Sequence, residues 1–216
     1  MASRPQHVVV ISLGNPPPLR HTLHSAGHLA LEALVKSGLI SNQPPFAKAS
    51  FGNRKVLASV GPRYTLLQCP SQMNISGQWI SRMWKADFMG NTKNAGFSPH
   101  SVGLVIVADD LEEQLGVVKI RAWSSSARGH NGIKSIQAAM KSPGLAPWAR
   151  ISIGVGRPGG RDHSTVSDYV LGAIPAPALE FLEVKSPDLV HGRMRELEQT
   201  WILEADAVNT TASAGS

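Results

Sequence analysis

The sequence predicts an α/β fold built around a mostly parallel or mixed sheet. Runs of apolar and β-branched residues alternate along the chain with segments whose apolar residues recur at helical spacing. The chain has 216 residues, 42% of them hydrophobic, which suits one domain with a full core. We therefore expect a single domain over residues 1–207 and a small, polar, flexible tail over residues 208–216.

The first and the central strand carry the clearest signals. Val8–Leu13 is apolar except at Ser12, and Val102–Ala108 stays apolar until it meets Asp109, so both strands are predicted to be buried on both faces. Further strands are predicted at Lys55–Val60, Tyr64–Gln68, Val117–Trp123 and Arg150–Val155. Helices are predicted at Ser25–Val35, Ser76–Trp84, Gly132–Lys141, Val166–Leu171 and Asp188–Ala205, and a polar loop at Lys85–His100.

Composition excludes several classes of protein. Charged residues make up only 17% of the chain, which argues against wholesale disorder, and the net charge of +6 favours a polyanionic partner. The single cysteine, Cys69, fits a reducing compartment, and the apolar stretches are too short to cross a membrane. Only Met1–Gln6 precede the first apolar run, so we expect no signal peptide and a cytoplasmic protein, with the mitochondrion as the alternative.

Polar residues follow three of the predicted strands. Asn15 comes after the first strand, Asp109 after the central one, and Ser124–Asn131 after the next. In open α/β sheets, ligands bind in the crevice beyond the carboxyl ends of the strands. We therefore expect these segments to converge on one crevice.

The histidines at the start of the first helix suggest either acid–base chemistry or packing. His24 has the residue type of a general base, since an unperturbed imidazole titrates near neutral pH, but a surface helix histidine would look the same. His28 lies one turn further on and could share a face with His24. Ser25 stands where a zinc-protease helix has glutamate, and no third ligand is evident nearby, so we expect no metal.

Carboxylate and amide side chains at the strand exits could complete such a site. Asp109 could hold an imidazole in one tautomer, or it could cap a turn, as could its neighbour Asp110. Amide side chains at Asn15, Asn74 and Asn131 could hold a carbonyl or an oxyanion, or could cap helices and turns. Sequence alone leaves both alternatives open. Serine-hydrolase and P-loop motifs are absent from the sequence.

Basic residues fall in or beside the same segments. If those segments converge, the cations would surround the crevice and suit phosphate binding, whereas each one alone is more often a solvated side chain. They are Arg20, Lys119, Arg121, Arg128, Lys134, Arg150, Arg157 and Arg161.

Six sequence blocks together resemble the bacterial-type peptidyl-tRNA hydrolases. The resemblance extends from Val8 to about Pro175, with the blocks in the family's order and approximate spacing. They are "ISLGNPPPLRHTLHSAG", "QMNISG", "VADDLEEQLG", "RGHNGIKSI", "RISIGVGRP" and "DYVLG".

This resemblance implies a fold and an activity. The fold would be a single α/β/α sandwich with a mixed, twisted central sheet. The activity would be hydrolysis of the ester bond between peptide and tRNA, without a cofactor or metal, which recycles tRNA after ribosomes drop off. The resemblance assigns the base to His24, its orienting partner to Asp109 and the three family asparagines to Asn15, Asn74 and Asn131.

The blocks suggest substrate contacts, and the basic residues in or beside the strand exits suggest tRNA contacts. We expect Asn15 to act in catalysis with His24 and Asp109, and we expect the chain to work as a monomer. The remaining expected contacts are Asn74, Asn131, Met73 and His130 for the substrate, and Lys119, Arg121, Lys134 and Arg150 for tRNA phosphates.

The chain departs from the family pattern around these residues. Pro17 stands where the family has glycine, Gln72 stands where an aromatic residue is usual, and the glycine-rich loop has become "SSSARGHNG". These changes affect substrate packing more than the reaction itself. Two other functions stay open: an RNA-binding splicing partner of the same fold, and a different esterase.

Overall fold

The structure, a computed structural model, describes residues 4–89, 101–141, 147–160 and 162–214. Seven strands and six α-helices make up the fold in this part of the chain. The strands are β1 His7–Ser12, β2 Ala47–Phe51, β3 Arg54–Val60, β4 Tyr64–Gln68, β5 Val102–Asp110, β6 Val118–Ala122 and β7 Trp148–Gly154. The helices are α1 Ala26–Ser37, α2 Ser76–Met83, α3 Asn131–Ala139, α4 His163–Leu171, α5 Ala176–Glu180 and α6 Ser186–Ala214.

One mixed sheet contains all seven strands, in the order β2-β3-β4-β1-β5-β7-β6. The central strands β4, β1, β5 and β7 run parallel, while β2, β3 and β6 join by antiparallel pairing. The sequence predicted a mostly parallel or a mixed sheet, and the observed sheet is mixed.

Helices cover the sheet on both faces. Alternate residues of β1 point to opposite sides: Val8 and Val10 join one hydrophobic cluster, and Val9 and Ile11 join the other. The first cluster takes its helical residues mainly from α1 and α6, and the second from α2 and α3. This arrangement confirms the predicted single-domain α/β/α sandwich.

Most predicted elements are observed with shifted ends. Helix α5 and the π-helical segment Phe181–Lys185 after it were not predicted, and three further points need correction. Strand β2 was not predicted, because none of its five residues is fully buried and it has no continuous apolar run. Residues Trp84–Met89 form a π-helical segment where the polar loop was expected to begin, because Trp84 and Phe88 are buried against the sheet. The rest of that predicted loop, 90–100, lies outside the described residues.

The third correction concerns the end of the chain. Helix α6 continues to Ala214, so residues 208–214 are helical where a flexible tail was predicted from their polar composition. Among the described residues, no helix is long and apolar enough to cross a membrane.

The parallel strands bring the expected polar segments to one edge of the sheet. The carboxyl ends of β1, β4 and β5 lie side by side, with Ser12 paired to Gln68 on one side and to Val107 on the other. Asn15 and Asp109 therefore lie at neighbouring strand ends, as the sequence predicted, and Asn74 joins them from the segment that follows β4.

Candidate active site

A cleft of about 600 Å³ opens at this edge of the sheet. Its size is in the range of sites for small molecules or for parts of larger ligands. All three predicted catalytic residues and all four predicted substrate contacts line it, as do three of the four predicted tRNA contacts. These residues are Asn15, His24, Asp109, Met73, Asn74, His130, Asn131, Arg121, Lys134 and Arg150.

The Asp109 carboxylate faces the His24 imidazole at the base of the cleft. His24 Nδ1 lies 3.0 Å from Asp109 Oδ1 and 3.1 Å from Oδ2. The Asp109 side chain is 2% exposed and that of His24 is 15% exposed. A neutral His24 that donates Nδ1–H to Asp109 keeps its Nε2 lone pair available, which is the form that a general base requires.

A second imidazole, that of His130, contacts the same carboxylate. His130 Nε2 lies 3.1 Å from Asp109 Oδ1, and the centroids of the two imidazole rings are 4.8 Å apart. The other nitrogen of His130, Nδ1, accepts hydrogen bonds from the backbone N–H groups of Gly132 and Ile133 and so caps helix α3. Because Nδ1 accepts, Nε2 must carry the proton and donate it to Asp109.

These contacts shift the pKa values of both partners. Burial lowers the pKa of His24, but the negative charge of Asp109 and its hydrogen bond outweigh burial, so the pKa of His24 lies above its ordinary value. Burial raises the pKa of Asp109, yet the two imidazoles facing it bring that pKa well below its usual range. Asp109 therefore stays a carboxylate at every pH where His24 can lose its proton.

A serine that sequence reasoning did not single out ties the His24 turn to the Asn15 turn. The Ser25 hydroxyl accepts from Asn15 N at 3.0 Å and donates to the Leu19 carbonyl at 3.2 Å. Ser25 is fully buried and ends the short 3₁₀ turn Leu23–Ser25 that carries His24. Its small side chain next to a candidate base was the only sequence signal.

A glycine lets helix α1 approach the sheet closely enough for this geometry. A Cβ atom on Gly27 would lie 2.5 Å from the Val107 carbonyl oxygen and 2.8 Å from that of Leu13. Any other residue here would push the start of α1 away from β5, and with it His24 away from Asp109.

The predicted amides occupy two environments. Asn15 is buried, at 7% exposure, directly beside the His24 turn. Asn74 and Asn131 are exposed on the cleft wall, in the turn Met73–Ile75 and at the first residue of α3. Met73 is buried beneath Asn74, at 6% exposure.

Within the described part of the chain, the two imidazoles and the carboxylate are also the residues best placed to hold a metal ion. Their ligand atoms lie within 4.8 Å of one another. Ligation through His130 Nε2 would displace the proton that the helix cap requires there, because the Nδ1 lone pair already accepts from two amides. The hydrogen bonding therefore favours a proton-transfer site over a metal site.

The comparisons with known proteins agree with this geometry. The sequence model described as peptidyl-tRNA hydrolase matches residues 9–206. This chain belongs to the peptidyl-tRNA hydrolase family. It is 32% identical over 184 residues to the peptidyl-tRNA hydrolase of Saccharomyces cerevisiae, which covers 83% of this chain and 90% of the yeast protein. It is 29% identical over 178 residues to that of Brucella abortus, covering 82% of this chain and 65% of that protein.

Solved structures show the same fold. The peptidyl-tRNA hydrolase of Acinetobacter baumannii superposes with a TM-score of 0.67 at 24% identity, covering 95% of each chain. A peptidyl-tRNA hydrolase in complex with N-propanol gives a TM-score of 0.66 at 24% identity, covering 93% of this chain and 92% of the other.

Departures from the peptidyl-tRNA hydrolase pattern lie on the wall of the cleft. Pro17, Gln72, Ala127 and Arg128 line it, whereas the His24–Asp109 pair lies at its base. The substitutions therefore alter the surface that a substrate would meet, and leave the candidate base and its partner in place.

One predicted phosphate contact is not supported by its position. Arg150 is only 6% exposed, and its guanidinium donates to the backbone carbonyls of Ala122, Ser125 and Ser126. It holds the segment after β6 in place, because β7 runs directly beneath that segment and a buried guanidinium needs acceptors. The sequence placed Arg150 in a strand but could not tell which way its side chain points.

The other basic residues divide into paired and exposed ones. Lys119 and Arg121 both donate to Glu113, with Lys119 Nζ 2.8 Å from Glu113 Oε2, while Lys134 is exposed on α3 at the cleft. Arg20 donates to Gln68 at 2.9 Å and pairs with Glu32, away from the cleft. Arg161 lies outside the described residues.

Proposed function

We propose that this chain hydrolyses the ester bond of peptidyl-tRNA and so returns tRNA to translation. The observation that carries the proposal is the orientation of His24, whose Nδ1 faces the buried Asp109 carboxylate and leaves Nε2 as a base. Membership of the peptidyl-tRNA hydrolase family supports the choice of substrate.

The first chemical step is attack of water on the ester carbonyl. His24 Nε2 takes a proton from the water as its oxygen bonds to the carbonyl carbon, and a tetrahedral oxyanion forms. Asp109 stabilises the imidazolium that results, because a carboxylate lies within hydrogen-bond distance of Nδ1. Asn15 and Asn74 are the amide donors proposed to stabilise the oxyanion.

The second step breaks the bond to tRNA. The oxyanion collapses, the bond between the carbonyl carbon and the 3′ ribose oxygen breaks, and the imidazolium returns its proton to that oxygen. Peptide acid and free tRNA leave, and His24 is neutral again. Asn74, Asn131, Met73 and His130 are the proposed contacts to the peptidyl end of the substrate, since they line the cleft around His24.

The basic residues beside the cleft are the proposed phosphate contacts. Lys134 is exposed and lines the cleft, whereas Lys119 and Arg121 are already paired with Glu113. Phosphates must therefore compete with a carboxylate for these two cations, and we expect Lys134 to contribute most per residue. We further propose that the chain acts as a single-domain monomer in the cytoplasm or the mitochondrion.

Hydrolysis of an N-acylated aminoacyl-tRNA by wild type and His24→Ala tests the proposal. General-base assistance contributes about 10²–10⁴-fold, so His24→Ala should lower turnover by that order without unfolding. His21→Ala is the matched control, because His21 is exposed in the turn before His24.

Other outcomes would point elsewhere. Full hydrolysis by His24→Ala would remove His24 from the mechanism. A wild-type protein that binds tRNA without releasing peptide would be an RNA-binding relative, and turnover of a simple acyl ester without tRNA would indicate a different esterase.

A further inference from the structure

We infer that Arg128 is a positioning residue that fixes His130 and Asn131 against the end of β5. The inference rests on the proposed hydrolysis for its kinetic test, but it also has a spectroscopic test that needs no substrate. Arg128 lies in the segment "SSSARGHNG", where the peptidyl-tRNA hydrolase pattern has a glycine-rich loop.

The guanidinium of Arg128 joins its loop to three groups at the end of β5 and just after it. Nη1 donates to Asp110 Oδ2 at 2.9 Å and to Glu113 Oε1 at 2.8 Å, and Nη2 donates to the Glu112 carbonyl at 3.2 Å. The side chain is 31% exposed, so the ion pairs are shielded in part from water. A planar guanidinium with several donors can serve all three acceptors at once, which a lysine ammonium on one stem cannot match in geometry.

Two adjacent aspartates thus accept hydrogen bonds from two residues of the same segment. Asp109 accepts from His130 Nε2 at 3.1 Å, and its neighbour Asp110 accepts from Arg128 Nη1 at 2.9 Å. The strand end therefore clamps the segment at two points one residue apart. Because His130 also caps α3, whose first residue is Asn131, a shift at Arg128 would reach both side chains.

The backbone of this segment would not hold its shape unaided. Arg128 has φ of +48° and the following Gly129 has φ of +86°. The left-handed region is uncommon for residues other than glycine, asparagine and aspartate, and an arginine persists there only when its surroundings hold it. The contacts of the guanidinium, together with the hydrogen bond from Arg128 N to Ser126 Oγ at 3.2 Å, are that support.

Two carboxylates accept from Arg128: Glu113 stays charged across the working pH range, whereas burial raises the pKa of Asp110 above its usual value. Hydrogen bonds from Arg128, Lys119 and Arg121 lower the pKa of Glu113 to about 2, so it is a carboxylate wherever His24 is neutral. Three cations donate to Glu113, and of these Arg128 lies in the segment that carries the site residues His130 and Asn131. Lys119 and Arg121 lie on β6, so their contacts with Glu113 do not hold that segment.

Steady-state kinetics of Arg128→Gln and Arg128→Lys test the inference. We expect Arg128→Gln to lower kcat about 10- to 100-fold, with KM changed by less than about threefold, since misplacement of site groups by about 1 Å can cost 100-fold. Arg128→Lys should keep an intermediate kcat. Arg4→Gln is the matched control. It also removes one positive charge from an ion pair, but the exposed Arg4–Asp206 pair lies before the amino end of β1, away from the cleft.

The spectroscopic test follows the His130 Nε2–H proton by NMR of the free protein labelled with ¹⁵N in its histidines. Wild type should show Nδ1 unprotonated and an Nε2–H that exchanges slowly with water, because it is held against a buried carboxylate. Arg128→Gln should speed that exchange by about tenfold or more at an unchanged melting temperature, and Arg4→Gln should leave it unchanged.

Each alternative has its own signature. A rise in KM at constant kcat, with unchanged exchange of the His130 proton, would make Arg128 a phosphate contact and overturn the inference. Unchanged kinetics and exchange would make it an ordinary surface residue. If wild type itself failed to hydrolyse peptidyl-tRNA, the proposed function would fall, while the exchange measurement would still decide the role of Arg128.

Discussion

His24 and His28 lie one helical turn apart but belong to opposite environments. The ring of His24 faces the Asp109 carboxylate at the cleft, whereas His28 is 2% exposed and its Nδ1 lies 2.8 Å from the Ser12 hydroxyl. The carboxylate raises the pKa of His24 above its ordinary value, while burial and the nearby positive charge of Arg20 lower that of His28 to about 3. The group that an imidazole faces, rather than its place on the helix, decides whether it can be a base at neutral pH.

The packing around His28 explains why a neutral histidine belongs there. A Cβ atom on Gly14 would lie 2.3 Å from His28 Cδ2, so the ring fills the space directly under the turn that carries Asn15. His28 thus supports the site from below, and His24 forms part of it.

Replacing Asp109 should remove the carboxylate that makes His24 a base, which His28 is not. We expect this change to lower activity more than substitution of His28 or Lys134 does. In Asp109→Asn, the amide NH₂ can face His24 Nδ1 while its oxygen still accepts from His130, so His24 would carry its proton on Nε2 and lose its function as a base. We expect kcat to fall by on the order of 10²-fold or more.

The pH profile of Asp109→Asn supplies a second readout. The charge and hydrogen bond that raise the pKa of His24 would be gone, and burial alone would lower it. Residual activity that proceeds through the minor tautomer of His24 requires a neutral ring, so the acidic limb of the residual kcat–pH profile should move to lower pH. A limb that stays in place would show that another group titrates.

Truncating His28 should lower the stability of the fold and leave the catalytic rate nearly unchanged. His28→Ala leaves a cavity under the Asn15 turn and takes a partner from the Ser12 hydroxyl, so we expect the free energy of unfolding to fall by about 2–4 kcal/mol. Urea unfolding measures that loss, and kcat at a temperature where the variant is folded should stay close to wild type. His21→Ala, at an exposed position, should change stability by less than about 0.5 kcal/mol.

The smallest effect is expected at the exposed wall of the cleft. Lys134→Ala should reduce the slope of log affinity for tRNA against log salt concentration by about 0.7–0.9, the value for one lost phosphate contact. Lys48→Ala is the control, because Lys48 is exposed on edge strand β2 at the far side of the sheet. An equal change in both variants would mean that only overall charge matters.

Continuous apolar runs made the central strands and the fold class predictable from sequence. Val8–Leu13 and Val102–Ala108 are buried on both faces, so every residue carries the signal. Strand β2 escaped prediction because its sequence, AKASF, pairs only with β3 and has no fully buried residue. Polar composition also hid the helical end of α6, since a helix already begun can extend through poor helix formers.

Convergence of Asn15 and Asp109 was predictable because parallel strands end at one edge. Asn131 reaches the cleft by another route, because β6 is antiparallel and its carboxyl end lies beside the amino end of β7. His24, Asp109 and the three asparagines all reach the cleft, as the strand exits and the family resemblance indicated.

Side-chain direction is not predictable from the sequence, so the prediction of Arg150 as a phosphate contact is wrong. The pairing of Arg128 with Glu113 depends on a left-handed backbone residue in a loop, and a single sequence carries little trace of that.

Hydrogen bonds at both ring nitrogens of His130 connect helix α3 to the site. Its Nδ1 ends one helix and its Nε2 reaches the carboxylate that orients the base, so the ring cannot be exchanged for a side chain that does only one of these. An engineer who transplants this site onto another scaffold would have to move the first turn of α3 with it. The smallest portable unit is therefore a strand end and a helix start rather than a list of residues.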